Sequence, residues 1–343
     1  MTSISEFDYY LPAHRIAQTP LADRSASKLL VDRGSNTPAH RTIVELDRIL
    51  RPGDLLVLNN TKVLRARITG ERPSGGRTEV LLLSPDGPAA VALQSEVSKW
   101  EVLVRPSKKV APGTSVSVPG ESDLRIVIGE DLGEGRRRAQ LESTNLDAAL
   151  RRVGEMPLPP YITAQIEDDE RYQTVYADPP GSAAAPTAGL HLTRSLLDAI
   201  RVAGVQIAMT ELIVGLDTFR PVTVDDLDDH EMHSERYYVP DDTTAAVASA
   251  TRVVAVGMTT VRALESAARF GPAGSTSLFI REPFDFQVVD LLLTNFHMPK
   301  STLLVMIDAF IGHRWRALYA AALASDYRFL SFGDAMLLDR HAR

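Results

Sequence analysis

The chain has 343 residues, a formal net charge of -7, 44% hydrophobic and 24% charged residues, and no cysteine. Those proportions are ordinary for a globular protein and give no global attraction to nucleic acid, so binding of that kind would need a local basic patch. Without cysteine there are no disulfides, thiolate metal sites, cysteine nucleophiles or cysteine-ligated clusters. The length exceeds what one core usually fills, which suggests two domains. The N-terminal MTSISEFDYYLPAHR lacks the apolar segment of a signal peptide, no run anywhere in the sequence approaches the roughly 20 apolar residues of a membrane span, and the expected location is the cytoplasm.

Residues 1 to 40 show one short strand signal, Ser27 to Asp32, after turn signals at Pro20 and Asp23. From Arg41 to Leu50, Ile43, Leu46, Ile49 and Leu50 share one helical face; Pro52 and Gly53 stop it, and an apolar strand follows at Leu55 to Leu58. The polar run Asn59, Asn60, Thr61, Lys62 sits where open α/β sheets bind ligands, which makes Asn60 a candidate binding residue, although an Asn-rich turn fits equally. Short strand signals then recur at Val63 to Thr69, Thr78 to Leu83, Trp100 to Arg105, Ser115 to Val118, Leu124 to Ile128 and Ala139 to Glu142, with no helix between them. They predict a small antiparallel barrel or sandwich over residues 63–149, inserted into a mixed α/β domain made of 1–62 and 150–343. This insert carries Lys99, Arg105, Lys108 and Lys109 in one basic cluster and Arg136, Arg137 and Arg138 in another, with Arg151 and Arg152 beyond. Such clusters are either a solvated face or phosphate contacts that position RNA.

The stretch from Arg171 to Thr193, RYQTVYADPPGSAAAPTAGLHLT, reads as a site: Gly181, Ser182 and Gly189 permit close backbone approach, Pro186 fixes the entry to Thr187, and His191 can exchange a proton near neutral pH. Its bland alternative is a small-residue loop whose histidine lies beside the next helix. Helix and strand then alternate: helix Arg194 to Val202, strand Val205 to Val214, helix Thr243 to Thr251 and strand Arg252 to Val256. The last turns at Gly257 into Thr259, Thr260 and an amphipathic helix, whose first N–H groups could hold an anion or form an ordinary cap. After a strand at Ser277 to Ile280, Thr294, Asn295, His297 and Lys300 interrupt an apolar run, and Ser301 caps a long helix through Ala324. The cluster His230, His233 and Glu235 lacks the HExxH spacing, so no metal is assigned and hydrogen-bonding or acid–base roles are expected instead. GxGxxG, GxxxxGK[ST] and GxSxG are all absent.

Taken together, FDYYLP, IAQTPLADRSASKLLV, GDLLVLNNTKVLRARITG, GEMPLPPYI, RYQTVYA with GSAAAPTAGLHLT, HEMHSE, VRALE, LLTNFHMPKSTLL and YRFLSFGDAMLL span nearly the whole chain. In this order they resemble the S-adenosylmethionine:tRNA ribosyltransferase-isomerases of queuosine biosynthesis. The resemblance implies an α/β domain carrying an inserted β-barrel. It also implies a reaction that moves the ribosyl part of S-adenosylmethionine onto 7-aminomethyl-7-deazaguanine at the tRNA wobble position, releasing adenine and methionine. S-adenosylmethionine is then a co-substrate rather than a cofactor, tRNA is the partner, and the protein is expected to be a monomer. The resemblance makes His191 and His297 the leading proton-transfer candidates, followed by His230, His233 and Glu235. Thr187, Gly189, Thr259, Arg262, Thr294 and Asn295 are expected around the donor, and Arg171, Tyr172 and Gln173 at the site wall or against the flipped-out base. Departures from the family pattern are Ile213 for a histidine, Asp217 for a glycine, Met258 in VGMT, and Glu282, Pro283 and Phe284 for PGY. They leave two alternatives open, a small-molecule acceptor or a non-catalytic tRNA-binding homologue.

Overall fold

The computed structural model of the protein describes residues 2–215, 222 and 224–342. The first half of the chain supplies strands β1 (Lys28–Val31), β2 (Ala39–Thr42), β3 (Asp54–Asn59), β4 (Lys62–Val63), β5 (Arg67–Glu71), β6 (Arg77–Pro85), β7 (Val97–Arg105), β8 (Ser115–Val118), β9 (Glu121–Gly133) and β10 (Arg136–Glu142). The second half adds β11 (Gly154–Glu155), β12 (Pro180–Ser182), β13 (Gln206–Leu212), β14 (Glu235–Tyr238), β15 (Arg252–Val256), β16 (Ala273–Thr276), β17 (Leu291–Asn295) and β18 (Ala335–Asp339). The helices are α1 (Leu46–Ile49), α2 (Ala89–Gln94), α3 (Leu146–Val153), α4 (Arg194–Val202), α5 (Asp241–Ser249), α6 (Met258–Phe270), α7 (Thr302–Ile311) and α8 (Arg314–Ala324).

Nine strands form the main sheet in the order β16–β14–β13–β3–β15–β17–β18–β1–β2, and its central four, β13, β3, β15 and β17, run parallel. Strands β3, β15 and β17 are largely apolar runs because both faces are covered, whereas β13 is partly exposed and mixed in composition. Leu55 and Val57 of β3 pack into the cluster that holds residues of α6, α7 and α8, while Leu56 and Leu58 join α1 and α4 on the other face. Each such side chain contributes roughly 1.5–3 kcal/mol on burial.

The strands β5–β6–β7–β10–β9–β8 follow one another and β8 returns to β5 through Glu71 and Ser117, which closes an antiparallel barrel. Its interior is a separate apolar cluster around the fully buried Trp100, with α3 packed on it and β11 added to the outer side of β5. The fold is thus the expected mixed α/β sheet with a barrel inserted after β4.

Local departures have local causes. The amphipathic stretch at 41–50 is only partly helical: Arg41 and Thr42 pair with β1, a 3-10 turn follows, and α1 is a single turn. The expected long helix after Ser301 is two helices, interrupted at Gly312, which adopts a φ of +65°. The strand expected at Ser277 to Ile280 lies earlier, as β16. Strands β14 and β18 and helix α2 carry no clear periodic signal, and neighbours distant in the chain supply their partners.

Candidate active site

The four parallel strands end at one edge of the sheet, and the residues beyond them enclose a cavity of about 140 Å³. Val214 follows β13, Gly257 to Thr259 follow β15, and β17 runs out through Thr294 and Asn295 into His297 and Ser301. Pairing of β4 with β12 draws the segment from Gly181 to His191 over this edge, so Ala185 to Ala188 form the facing wall. The walls are mostly apolar, with Thr187, Thr259, Thr294, Asn295, His297, Ser301, Tyr161 and Ser331 supplying the polar groups, the usual composition of a small-molecule site. Gly257, at φ +86°, allows the chain to turn from β15 directly into α6.

Alternation along β17 sends Asn295 and Thr294 to opposite faces of the sheet. On one face the Asn295 amide nitrogen lies 3.0 Å from His191 Nε2, and Thr187 donates its hydroxyl to Asn295 Oδ1 at 3.0 Å. The other ring nitrogen of His191 meets Ser27 Oγ at 3.1 Å, so both are engaged. Burial lowers its pKa to about 4, with Arg328 and Arg24 adding to the effect, and the ring is neutral. On the other face Thr294 Oγ1 lies 3.0 Å from His297 Nε2. Burial pushes His297 down to about 3, and it lines the cavity with Nδ1 unpartnered among the described residues.

A recess of about 20 Å³ adjoins the cavity across Met258, Thr259 and Leu303 and contains His233, Glu235 and Arg262. His233 Nε2 is 3.1 Å from Glu235 Oε1, and Arg262 donates to Glu235 Oε2 and to the carbonyls of Leu278 and Thr276. Burial opposes the Glu235 carboxylate, but Arg262 and His233 outweigh it and hold its pKa below the ordinary value. Arg262 is therefore spent on structure and does not reach the cavity. His230 packs edge-on to Phe279 and lines neither space; burial, then His233, lowers its pKa.

Five other expected site residues build the scaffold. Arg171 donates to the carbonyls of Leu21 and Ala22, Tyr172 is buried edge-on against Phe332, and the Gln173 side chain bonds both backbone groups of Val63. Gly189 makes room for the Tyr176 hydroxyl, which a Cβ there would meet at 2.0 Å. Asn60 lies outside the cavity; its neighbour Asn59 is the buried one, donating to Thr259 Oγ1 at 3.2 Å and to the Leu212 carbonyl at 3.0 Å. Sequence reasoning misses Asn59, Ser27, and the cavity-lining pair Tyr161 and Ser331, whose hydroxyls are 2.7 Å apart. The signal for Asn59 was available, since it continues the apolar strand as its last fully buried residue.

Of the departures, Ile213 does not line the cavity: its Cδ1 points to Gly181, 3.8 Å from where a Cβ would stand. Met258 does line it. Asp217 lies outside the described residues. Phe284 packs on Phe286 and under Arg269, away from the cavity. In the barrel, Arg136 pairs with Glu101, Arg138 with Asp86, and the buried Arg137 with Asp131 and Ser107. Arg137 is thus turned inward, a correction to its expected place on an RNA-facing surface, because β10 alternates and Arg137 falls on the interior face. Lys99, Arg105, Lys108 and Lys109 are exposed. A larger groove of about 1240 Å³ between the barrel with its helices α2 and α3 and the segment 165–180 is lined by seven acidic and four basic side chains. Among the described residues no three His, Asp or Glu gather as a metal site, and no helix is long and apolar enough to cross a membrane.

Comparison with known proteins matches residues 4–338 to the family of queuosine biosynthesis proteins. An S-adenosylmethionine:tRNA ribosyltransferase-isomerase from Azoarcus sp. (strain BH72) is 47% identical over 99% of this chain and 98% of its own. One from Rubrobacter xylanophilus is 48% identical over 97% and 96% respectively. The crystal structure of an S-adenosylmethionine tRNA ribosyltransferase from Thermotoga maritima is similar with a TM-score of 0.54 and 35% identity, covering 97% of this chain and 99% of that one.

Proposed function

The chain belongs to the queuosine biosynthesis protein family, and from that premise we propose that it transfers the ribosyl moiety of S-adenosylmethionine to 7-aminomethyl-7-deazaguanine at the wobble position of tRNA. The products are epoxyqueuosine-tRNA, adenine and methionine. The observation that carries the reading is the cavity at the ends of the parallel strands: it is apolar enough for an adenosyl group, and Thr187, Thr294, Asn295 and His297 stand on its wall. Those residues come from the same segments that match the relatives over the full chain.

Removing a proton from the carbon beside the sulfonium requires a base, and adenine must regain a proton as it departs. His297 is the residue we assign to this transfer. Its Nε2 lies against Thr294 and the ring lines the cavity; with the Nε2 hydrogen given to Thr294, the neutral imidazole keeps Nδ1 to accept the proton and return it to the leaving base. His191 has no ring nitrogen to spare. The pair of Glu235 and Arg262 with His233 anchors the start of α6 beside Met258.

Tyr161 closes one wall on a loop that Gln18 clamps through the Tyr161 carbonyl and the Thr163 N–H. The barrel of residues 63–149, with α3 and β11, is proposed as an inserted domain, and Lys99, Arg105, Lys108 and Lys109 are its proposed phosphate contacts. The protein is taken to act as a cytoplasmic monomer.

The test is incubation with S-adenosylmethionine and an anticodon stem-loop bearing the aminomethyl-deazaguanine, following adenine and the mass of the RNA. Adenine with a ribosyl-derived mass gain is expected. Donor binding without any change in the RNA would overturn the acceptor assignment.

A further inference from the structure

The Thr187 hydroxyl is reached through a chain of four buried or half-buried groups, Ser27, His191, Asn295 and Thr187, linked at 3.1, 3.0 and 3.0 Å. The direction of the hydrogens from His191 through Asn295 to Thr187 is fixed. The Asn295 amide nitrogen also faces the Asp334 carbonyl at 3.4 Å, and a carbonyl can only accept, so the amide has one allowed orientation. Its nitrogen then donates to His191 Nε2, which leaves the His191 proton on Nδ1, directed at Ser27. The neutral state of this fully enclosed ring agrees with that tautomer. Asn295 Oδ1 can only accept, so Thr187 spends its single proton there and turns only lone pairs to the cavity it lines.

Resting on the donor-site reading above, we propose that the Ser27–His191–Asn295 chain locks Thr187 as an obligate hydrogen-bond acceptor, which selects an N–H or O–H group of the adenosyl donor. Within an adenosyl group such donors are the exocyclic amine and the ribose hydroxyls; the purine ring nitrogens are acceptors and are refused at this point. His191 and Asn295 are positioning residues, acting through Thr187 and not on the reacting atoms. A site built to take a donor discriminates strongly against an analogue that lacks it, because the acceptor is then left unpaired.

The test measures the dissociation constant of S-adenosylmethionine by calorimetry, together with analogues carrying a dimethylated amine or lacking the 2′- or 3′-hydroxyl. Thr187→Val should weaken S-adenosylmethionine about tenfold, the scale of one buried hydrogen bond, and Thr187→Ser should restore most of it. One analogue should bind the natural protein about tenfold more weakly yet bind Thr187→Val no worse than S-adenosylmethionine does, which identifies the amine or the hydroxyl as the partner. His191→Phe should weaken binding without adding to the effect of Thr187→Val. Equal binding by Thr187→Val and the natural protein, or an analogue penalty that survives in Thr187→Val for all three analogues, overturns the lock alone. A natural protein that does not bind S-adenosylmethionine overturns the donor-site reading and the lock with it. Binding needs no RNA turnover, so failure of the acceptor assignment is seen separately.

Discussion

At the scale of single residues, His191 and His297 show how burial and bonding decide what a histidine can do. Both are held neutral by enclosure, at about 4 and 3, against about 6.5 when the chain is unfolded. Between those values the unfolded state binds more protons than the folded one, so stability rises with pH there and is fully present above the unfolded value. Lowering the pH from 7 to 5 should therefore cost about 2 kcal/mol for each ring, which urea titration at the two pH values measures. His297→Gln should reduce that pH dependence and also abolish adenine release, whereas a His297 that matters only for packing would leave release intact. The polar breaks in LLTNFHMPKST made His297 visible in the sequence, and the small-residue stretch GSAAAPTAGLHLT did the same for His191. Which nitrogen is committed was not visible, because Ser27, Thr187 and Asn295 meet only in the folded sheet. Asn59 and Asn60 differ by one step of register, and register decides burial.

At the scale of elements, β14 and α6 are joined by one buried ion pair, Glu235 with Arg262, whose guanidinium also holds two carbonyls before the Phe279 loop. Removing one partner strands the other charge. Arg262→Met should destabilise the protein by about 3–5 kcal/mol, read from the thermal midpoint or the urea midpoint. A loss under 1 kcal/mol, with activity gone, would instead mean that Arg262 touches substrate. Helix α3 passes into β11 at Gly154, where a Cβ would meet the Arg65 carbonyl at 2.1 Å and the Leu150 carbonyl at 2.5 Å. Gly154→Ala should thus unsettle the junction by more than the usual helix-end change, and native-state hydrogen exchange in β5 and β11 would report it. Elements with internal periodicity, such as α4 and β3, were legible from sequence. Strand β14 was not, because what makes it a strand is β13 and β16 on either side.

At the scale of the whole molecule, the barrel could be foreseen from short strands punctuated by Gly, Pro and Ser, but the order of the nine-stranded sheet could not. Strand β3 lies between β13 and β15, some 150 residues and more away. The same scale governs RNA binding. Three of the seven barrel cations expected from the sequence are already paired with carboxylates, so the proposed phosphate contacts fall to the other four. Changing Lys108 and Lys109 to Glu should raise the KM for the stem-loop and flatten its salt dependence by about one unit of slope per lost phosphate contact. Donor affinity should be unchanged, and Arg138→Ala should do little. An unchanged salt slope would move the RNA to another face.

The pairing of Arg67 with Glu155 sets the departing and returning strands of the barrel side by side. Everything between these two residues therefore hangs from a single doorway in the chain, and a tight turn joining them would spare the main sheet any rethreading. In that sense the barrel is a cassette: it can be cut out, exchanged or enlarged at one address, and none of the residues that line the cavity at the strand ends belongs to it.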